Sequence, residues 1–421
     1  MGGPMVNEED ERVADLLKVL EISRQLAATT DLVELLGKIE QAALDVLECE
    51  RATVCVYDRE TDELFARVAT GITELRFPAG QGIAGECFRT GKVINVPDAY
   101  ADQRFNRAID QQTGFRTRNM LTCPLLSHKQ QPVGVLQVLN KTDGAFDAWD
   151  EDLAQTFSAQ CGVAFERHNL LNEFAQKQKL ERELNMARHI QEGLLPTSAL
   201  CQGGFELVGW NKPADQTGGD FFDYQSLDNG LISVAIADVT GHGMGPALVA
   251  AECSALLRAT FSFSPQLAVG VNSVNRLLSA RLPDDRFVTL FFGLLDPAKN
   301  ELSYISAGHG PLIMVRGESG EIEKLGVHGP PMGIAPDWPY EAPNHIHFNS
   351  GDFLFLLTDG FFESPNLARE QFGMTRLQEL LQSSYQLPSA DLIHHVYANL
   401  LRYCEGAKQE DDLTAVMVKK L

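Results

Sequence analysis

Between Asp150 and Leu195 the chain carries one helical pattern, with no proline before Pro196 and with Gly162 and Gly193 as its only glycines. A run this long far exceeds the usual helix of a globular domain, so it separates two parts of the chain. Leu180, Leu184, Ala187, Gln191 and Leu194 follow alternating steps of four and three, which is coiled-coil spacing. Upstream, Leu171, Phe174 and Gln178 lie on a different phase, which reads as one helix with a register shift. A single amphipathic helix docked on its own domain would carry a similar stripe; the spacing favours a homodimer through this segment.

Each flank has its own pattern. Residues 10–28 (DERVADLLKVLEISRQLAA) read as an amphipathic helix, and Thr29-Thr30-Asp31 signals the start of a second one running to about Leu47. The β-like segments ATVCVYD, ELFARVAT, KVINV, MLTCPLL and PVGVLQVLN follow, separated by polar or Gly/Pro stretches. This is an α+β domain. Beyond Pro196 come LISVAIADV, FVTLFFGLLD, ELSYISAG, PLIMVRG, DFLFLLTDG and LTAVMVKKL, with helical stretches near 245–260, 265–281 and 375–404. Two groups of strands around helices suit a layered β-sandwich with helical flanks. The expected division is an N-terminal helix at 1–29, a first domain at 30–150, a helical linker at 151–195 and a second domain at 196–421.

With 35 basic and 57 acidic residues in 421, the net charge of −22 argues against bulk affinity for nucleic acid or anionic membrane. No apolar run reaches the roughly 18 to 20 residues that span a bilayer. The N-terminal MGGPMVNEEDER lacks the apolar stretch of a secretory signal, and Pro4 fits an acylation motif poorly. Eight dispersed cysteines without a CxxC pair suit a reduced, cytoplasmic protein.

Aspartates end or adjoin four apolar segments of the second half: Gly218-Gly219-Asp220-Phe221-Phe222-Asp223, Ala237-Asp238-Val239, Leu357-Thr358-Asp359-Gly360 and Glu410-Asp411-Asp412-Leu413. Carboxylates converging in a cleft repel one another unless a cation neutralises them. Oxygen ligands suit Mg²⁺ or Mn²⁺, and the region offers no paired Cys/His set for zinc. Any one of these aspartates alone would read as a turn or helix cap; it is the set that points to metal.

In order, TGGDFFDY, IADVTGHGMGPALVA, SAGHGPLIMV, PPMGI, LLTDGFFE and DDLTAVMV resemble the SpoIIE-type, RsbU-like branch of the PPM protein serine/threonine phosphatases, over about residues 185–421. The resemblance implies an αββα sandwich with a dinuclear Mn²⁺/Mg²⁺ centre between its sheets. Carried over residue by residue, Asp238 is the bridging ligand with the carbonyl of Val239 beside it, at a position where many members have glycine. Asp359 and Asp411 match later metal ligands, Asp220 matches the acidic position that holds a water on a metal, and Asp223 and Asp412 are helpers. The implied chemistry is metal-assisted hydrolysis without a covalent intermediate, so Asp220, Asp238 and His242 form the catalytic set. His242 suits either a general acid or an organiser of the Asp238 loop. His309 reads as structural, and Phe361-Phe362, where relatives carry smaller residues, bears on substrate fit.

In the first half, Gly80-Gln81-Gly82-Ile83-Ala84-Gly85 matches GxGxxG but lacks a βαβ context, and Gly91-Lys92 is not a P-loop. Asn140, Lys141, Phe146, Asp150 and Glu151 reproduce the NKFDE signature of GAF domains resembling those of cyclic-nucleotide phosphodiesterases, over roughly residues 30–165. That signature braces the fold rather than lining a pocket. Cyclic AMP or cyclic GMP, another small ligand, or none all remain open, and no Cys or His has the context of a bilin or haem site.

Together the resemblances imply a cytoplasmic, homodimeric phosphatase whose GAF domain governs the metal site through the helical linker. The implied substrate is a phosphoserine or phosphothreonine protein, of the STAS-type anti-anti-sigma class. Two rivals are a GAF binding module joined to an inactive phosphatase-like docking domain, and a cyclic-nucleotide phosphodiesterase. The latter lacks its His/Asp metal pattern.

Overall fold

A computed structural model describes residues 8–66, 75–263, 266–283 and 285–421. The N-terminal signal and acylation readings at residues 1–7, and Arg67–Thr70 of the ELFARVAT segment, lie outside the described residues. The chain forms two units, Met1–Gln178 and Lys179–Leu421.

The first unit contains α1 (Glu8–Ala28), α2 (Leu32–Leu47), β1 (Cys49–Asp58), β2 (Glu63–Ala66), β3 (Leu75–Pro78), α3 (Gly82–Thr90), β4 (Ile94–Val96), α4 (Arg107–Thr113), β5 (Met120–Leu126), β6 (Pro132–Lys141) and the first part of α5 (Ala148–Glu192). Its six-stranded sheet has the order β3-β2-β1-β6-β5-β4, antiparallel throughout. Asp31 starts α2 by accepting the Glu34 N–H. Leu35, Ile39 and Val46 of α2 then pack with Leu153, Phe157 and Phe165 of α5 over Val54 and Val56 of β1. Cys55, the alternate residue, faces the opposite side, where Cys87 and Phe88 of α3 cover the sheet. The GxGxxG stretch opens α3. A Cβ on Gly85 would lie 2.4 Å from the Gly80 carbonyl carbon, so this glycine serves close backbone packing.

The second unit contains β7 (Leu200–Gln202), β8 (Phe205–Lys212), β9 (Phe221–Ser226), β10 (Ile232–Val239), α6 (Met244–Phe263), α7 (Leu267–Ser279), β11 (Val288–Asp296), β12 (Glu301–Ala307), β13 (Leu312–Val315), β14 (Ile322–Leu325), β15 (Asn344–His347), β16 (Phe353–Leu357), α8 (Gly360–Glu363), α9 (Met374–Ser384), α10 (Ser389–Cys404) and β17 (Leu413–Lys420). One sheet runs β15-β12-β11-β10-β9 and the other β14-β13-β16-β17-β8-β7. Alternating residues divide three cores. Phe222, Ile232, Val234, Leu354 and Val416 fill the space between the sheets. Ala235 and Ala237 face α6 and α7, and Phe355, Leu357 and Met417 face α9 and α10. The layers are helix, sheet, sheet, helix, as expected.

The helix expected at 375–404 is two helices. Pro388 has no N–H to donate and becomes the cap residue before α10. Of the residues expected to form a coiled-coil seam, Leu184, Ala187, Gln191 and Leu194 are half-buried while Leu180 is exposed. Gln191 is committed to its own unit: its amide donates to the Gly218 carbonyl at 2.6 Å and accepts the Gly218 N–H at 3.1 Å.

Candidate active site

The period of two that fills the space between the sheets changes from apolar to polar at one end. On β10, Ile232, Val234 and Ile236 face the other sheet, and the next residue on that face is Asp238. The same parity places Thr358 after Leu354 and Leu356, Thr414 before Val416 and Val418, and Asp220 before Phe222 and Tyr224. Thr289 pairs with Asp238 across β10 and β11. The register of β9 with β10, extended by one pair, sets Asp220 opposite Asp238, and the Val239 N–H donates to the Gly219 carbonyl at 3.3 Å.

Asp220 is buried and takes a 2.7 Å hydrogen bond from the Thr358 hydroxyl. Burial, then the charges of Asp238 and Asp412, raises its carboxyl well above the ordinary range. Burial, then Asp359 and Asp411, pushes Asp238 up to about 7. Burial, then Asp411 and Glu363, pushes Asp359 up to about 6. Asp220, Asp238, Asp359 and Asp411, read from the sequence as one set, therefore share one electrostatic environment. Asp411 is exposed at its rim.

Asp412 shapes the backbone. Its buried carboxylate accepts the N–H groups of Ala214 at 2.7 Å, Gly219 at 2.6 Å and Asp220 at 3.4 Å. A Cβ on Gly218 would fall 2.4 Å from that carboxylate and one on Gly219 2.6 Å from the Val239 carbonyl, so this closeness requires glycine. Asp223 is placed differently from the helper role expected for it. It lies on the helix-facing side of β9 and pairs with Arg258 of α6 through two bonds of 2.7 and 2.8 Å. Phe361 is fully buried against Trp210 and cannot touch a substrate; Phe362 is half-exposed.

Two features have no clear sequence signal. His242 Nδ1 lies 2.6 Å from an Asp215 carboxylate oxygen, a pairing across 27 residues. Arg286 donates to the Thr240 carbonyl at 2.9 Å and lies over Gly241 and Gly245. Its position depends on how the segment before β11 folds back on the loop after β10.

All the candidate ligands are carboxylate or carbonyl oxygens, the donors that Mg²⁺ and Mn²⁺ prefer, and mutually repelling carboxylates gain from a cation. The residues fit such a centre in chemistry. Among the described residues no three His, Cys, Asp or Glu groups close into a ready-made coordination shell. No described helix is long and apolar enough to cross a membrane.

In the first unit the signature residues form a brace. Lys141 donates to Asp150 at 2.9 Å and to the Leu47 carbonyl at 3.2 Å. Buried Asn140 accepts the Arg118 N–H and donates to Glu50 and to the Arg116 carbonyl. Asn95 donates to the Phe146 carbonyl and to Glu151.

Comparison with known proteins agrees with this anatomy. Residues 228–420 match the family model described as stage II sporulation protein E (SpoIIE), and residues 31–165 match the GAF domain. Phosphoserine phosphatase RsbU of Bacillus subtilis is 25% identical over 266 residues, covering 62% of this chain and 76% of RsbU. A probable 3',5'-cyclic phosphodiesterase, pde-5 of Caenorhabditis elegans, is 30% identical over 159 residues, but these are 34% of this chain and only 22% of that protein. The SiaA-PP2C domain of Pseudomonas aeruginosa superposes with a TM-score of 0.52 at 21% identity, covering 58% of this chain and 98% of that domain, which supports the fold. The chain is a GAF-domain-containing PPM-type phosphatase related to SpoIIE and RsbU.

Proposed function

We propose that this protein removes phosphate from phosphoserine or phosphothreonine in a protein substrate, in a reaction that requires divalent cations. The carrying observation is the polar end of the inter-sheet layer, where burial and then neighbouring carboxylates raise Asp220, Asp238 and Asp359 together. Asp220, Asp238, Asp359, Asp411 and the Val239 carbonyl would hold two cations, Mn²⁺ or Mg²⁺. When bound, these supply an activated water and offset charge on the phosphoryl oxygens. The chain's own residues do the rest. Thr358 orients Asp220, Asp412 fixes the Ala214–Asp220 backbone, and His242 is the candidate proton donor.

Similarity to RsbU supports a phosphoserine protein as substrate, and a STAS-type anti-anti-sigma factor is the class we assign. The GAF match of residues 31–165, with the similarity to a probable 3',5'-cyclic phosphodiesterase, supports cyclic AMP or cyclic GMP as the ligand of the first unit. Exposed Leu171, Phe174 and Leu180 on α5 support a homodimer through that helix.

The test is turnover of p-nitrophenyl phosphate and a phosphoserine peptide by the full chain with and without Mn²⁺. Wild type turns over both with the cation and neither without it, and Asp238→Asn loses at least about 100-fold. Equal turnover by wild type and Asp238→Asn would sink the proposal. No turnover by either is what the inactive docking domain predicts.

A further inference from the structure

We propose that Asp215 is a positioning residue that sets His242 to deliver a proton to the leaving serine or threonine oxygen; this inference rests on the phosphatase reading above. Asp215 belongs to the loop leading to Asp220, and His242 to the loop following Val239. The 2.6 Å contact between Asp215 Oδ2 and His242 Nδ1 therefore joins the two loops that flank the carboxylate cluster.

The pair is not needed to hold those loops. The Val239 N–H already bonds the Gly219 carbonyl, and Asp412 already gathers the N–H groups of Ala214 and Gly219. The two side chains are 59% and 42% exposed, and an ion pair so open to water adds little stability. What the contact does fix is the ring. With Nδ1 committed to a carboxylate, Nδ1 carries its hydrogen and the ring's rotation is set. The ring's hydrogen bond to protein runs through Nδ1, so Nε2 is the nitrogen left for substrate.

The oxygen of the attacking water bonds to phosphorus. The bond from phosphorus to the serine or threonine oxygen breaks, and its electron pair stays on that oxygen. This oxygen takes the proton from Nε2 of the imidazolium. One proton of the attacking water leaves the product phosphate for solvent, and the neutral ring, more than half exposed, is recharged from solvent. A serine alkoxide is a far poorer leaving group than p-nitrophenolate, so the donor matters for the first and little for the second.

The experiment compares kcat/KM of the full chain with Mn²⁺ on a phosphoserine peptide and on p-nitrophenyl phosphate, for wild type, Asp215→Asn, Asp215→Glu and His242→Asn. Asp215→Asn is expected to lose roughly 10- to 100-fold on the peptide but less than about threefold on the aryl ester. Asp215→Glu recovers most of the loss, and adding Asp215→Asn to His242→Asn costs nothing more. Mn²⁺ affinity by calorimetry stays unchanged in Asp215→Asn. Equal losses on both substrates, weakened Mn²⁺ binding, or no loss on either would overturn the role. If wild type itself turns over neither substrate, the phosphatase reading has failed and carries this inference with it.

Discussion

His309 is fully buried, with Nδ1 3.0 Å from the hydroxyl of Thr289, the residue that pairs with Asp238 across the sheet. Burial lowers its imidazole from the ordinary 6.5 to about 4, so the ring is neutral in the folded chain at neutral pH. The unfolded chain binds a proton here as pH falls through 6.5, and the folded chain does so only near 4. The stabilisation is complete above 6.5 and is lost across that window, on the order of 3 kcal/mol in all. In His309→Asn this window disappears. Unfolding of both proteins from pH 7.5 to 4.5 should show the stability difference between them shrinking as pH falls; a constant difference would refute it. At this scale, legibility followed chain-local pattern. Asp220, Asp238, Asp359 and Asp411 each adjoin an apolar run, so the strand's end announces the carboxylate. Asp215 and Arg286 announce nothing, because their roles arise only when distant loops meet.

The end of β6 and the start of α5 are tied by one partly buried ion pair, Lys141 with Asp150, which also engages the Leu47 carbonyl at the end of α2. Removing one partner of such a pair leaves an uncompensated charge. Lys141→Met should cost the first unit roughly 3 to 5 kcal/mol. The double change Lys141→Met with Asp150→Leu should cost clearly less, since neither charge then remains buried. Urea unfolding of the three proteins checks this; equal losses for the single and double variants would count against the pair as the brace. The elements themselves were legible where periodicity was strong, as in β10, β11, β16 and β17, whose buried residues alternate between two cores. Helices α3 and α4 are too short to display a helical period, and β8 reads ambiguously in FELVGWNK. The separation of α9 from α10 was marked by Pro388, but the apolar spacing on either side concealed it.

At the scale of the whole molecule, the regulation that the GAF resemblance implies needs a physical link from α5 to the carboxylates. Gln191 is such a link, since its amide both donates to and accepts from the Gly218 peptide, two residues before Asp220. A reciprocal pair of bonds resists rotation and sliding of the helix against that loop more firmly than one bond would. The opposite side of the loop is held by Asp412, so Gly218 and Gly219 lie between that carboxylate and the last turn of α5. Any displacement of the last turns of α5 then alters Asp220 first. In Gln191→Leu the helix keeps its apolar contacts but loses its grip on the loop. The expected result is a several-fold rise in the Mn²⁺ concentration for half-maximal turnover. Where cyclic GMP shifts that Mn²⁺ dependence in wild type, the shift should vanish in the variant. A variant that retains the full cyclic GMP response would show that the signal reaches the site by another route, of which the Arg258 bond to the Leu194 carbonyl is the next to test.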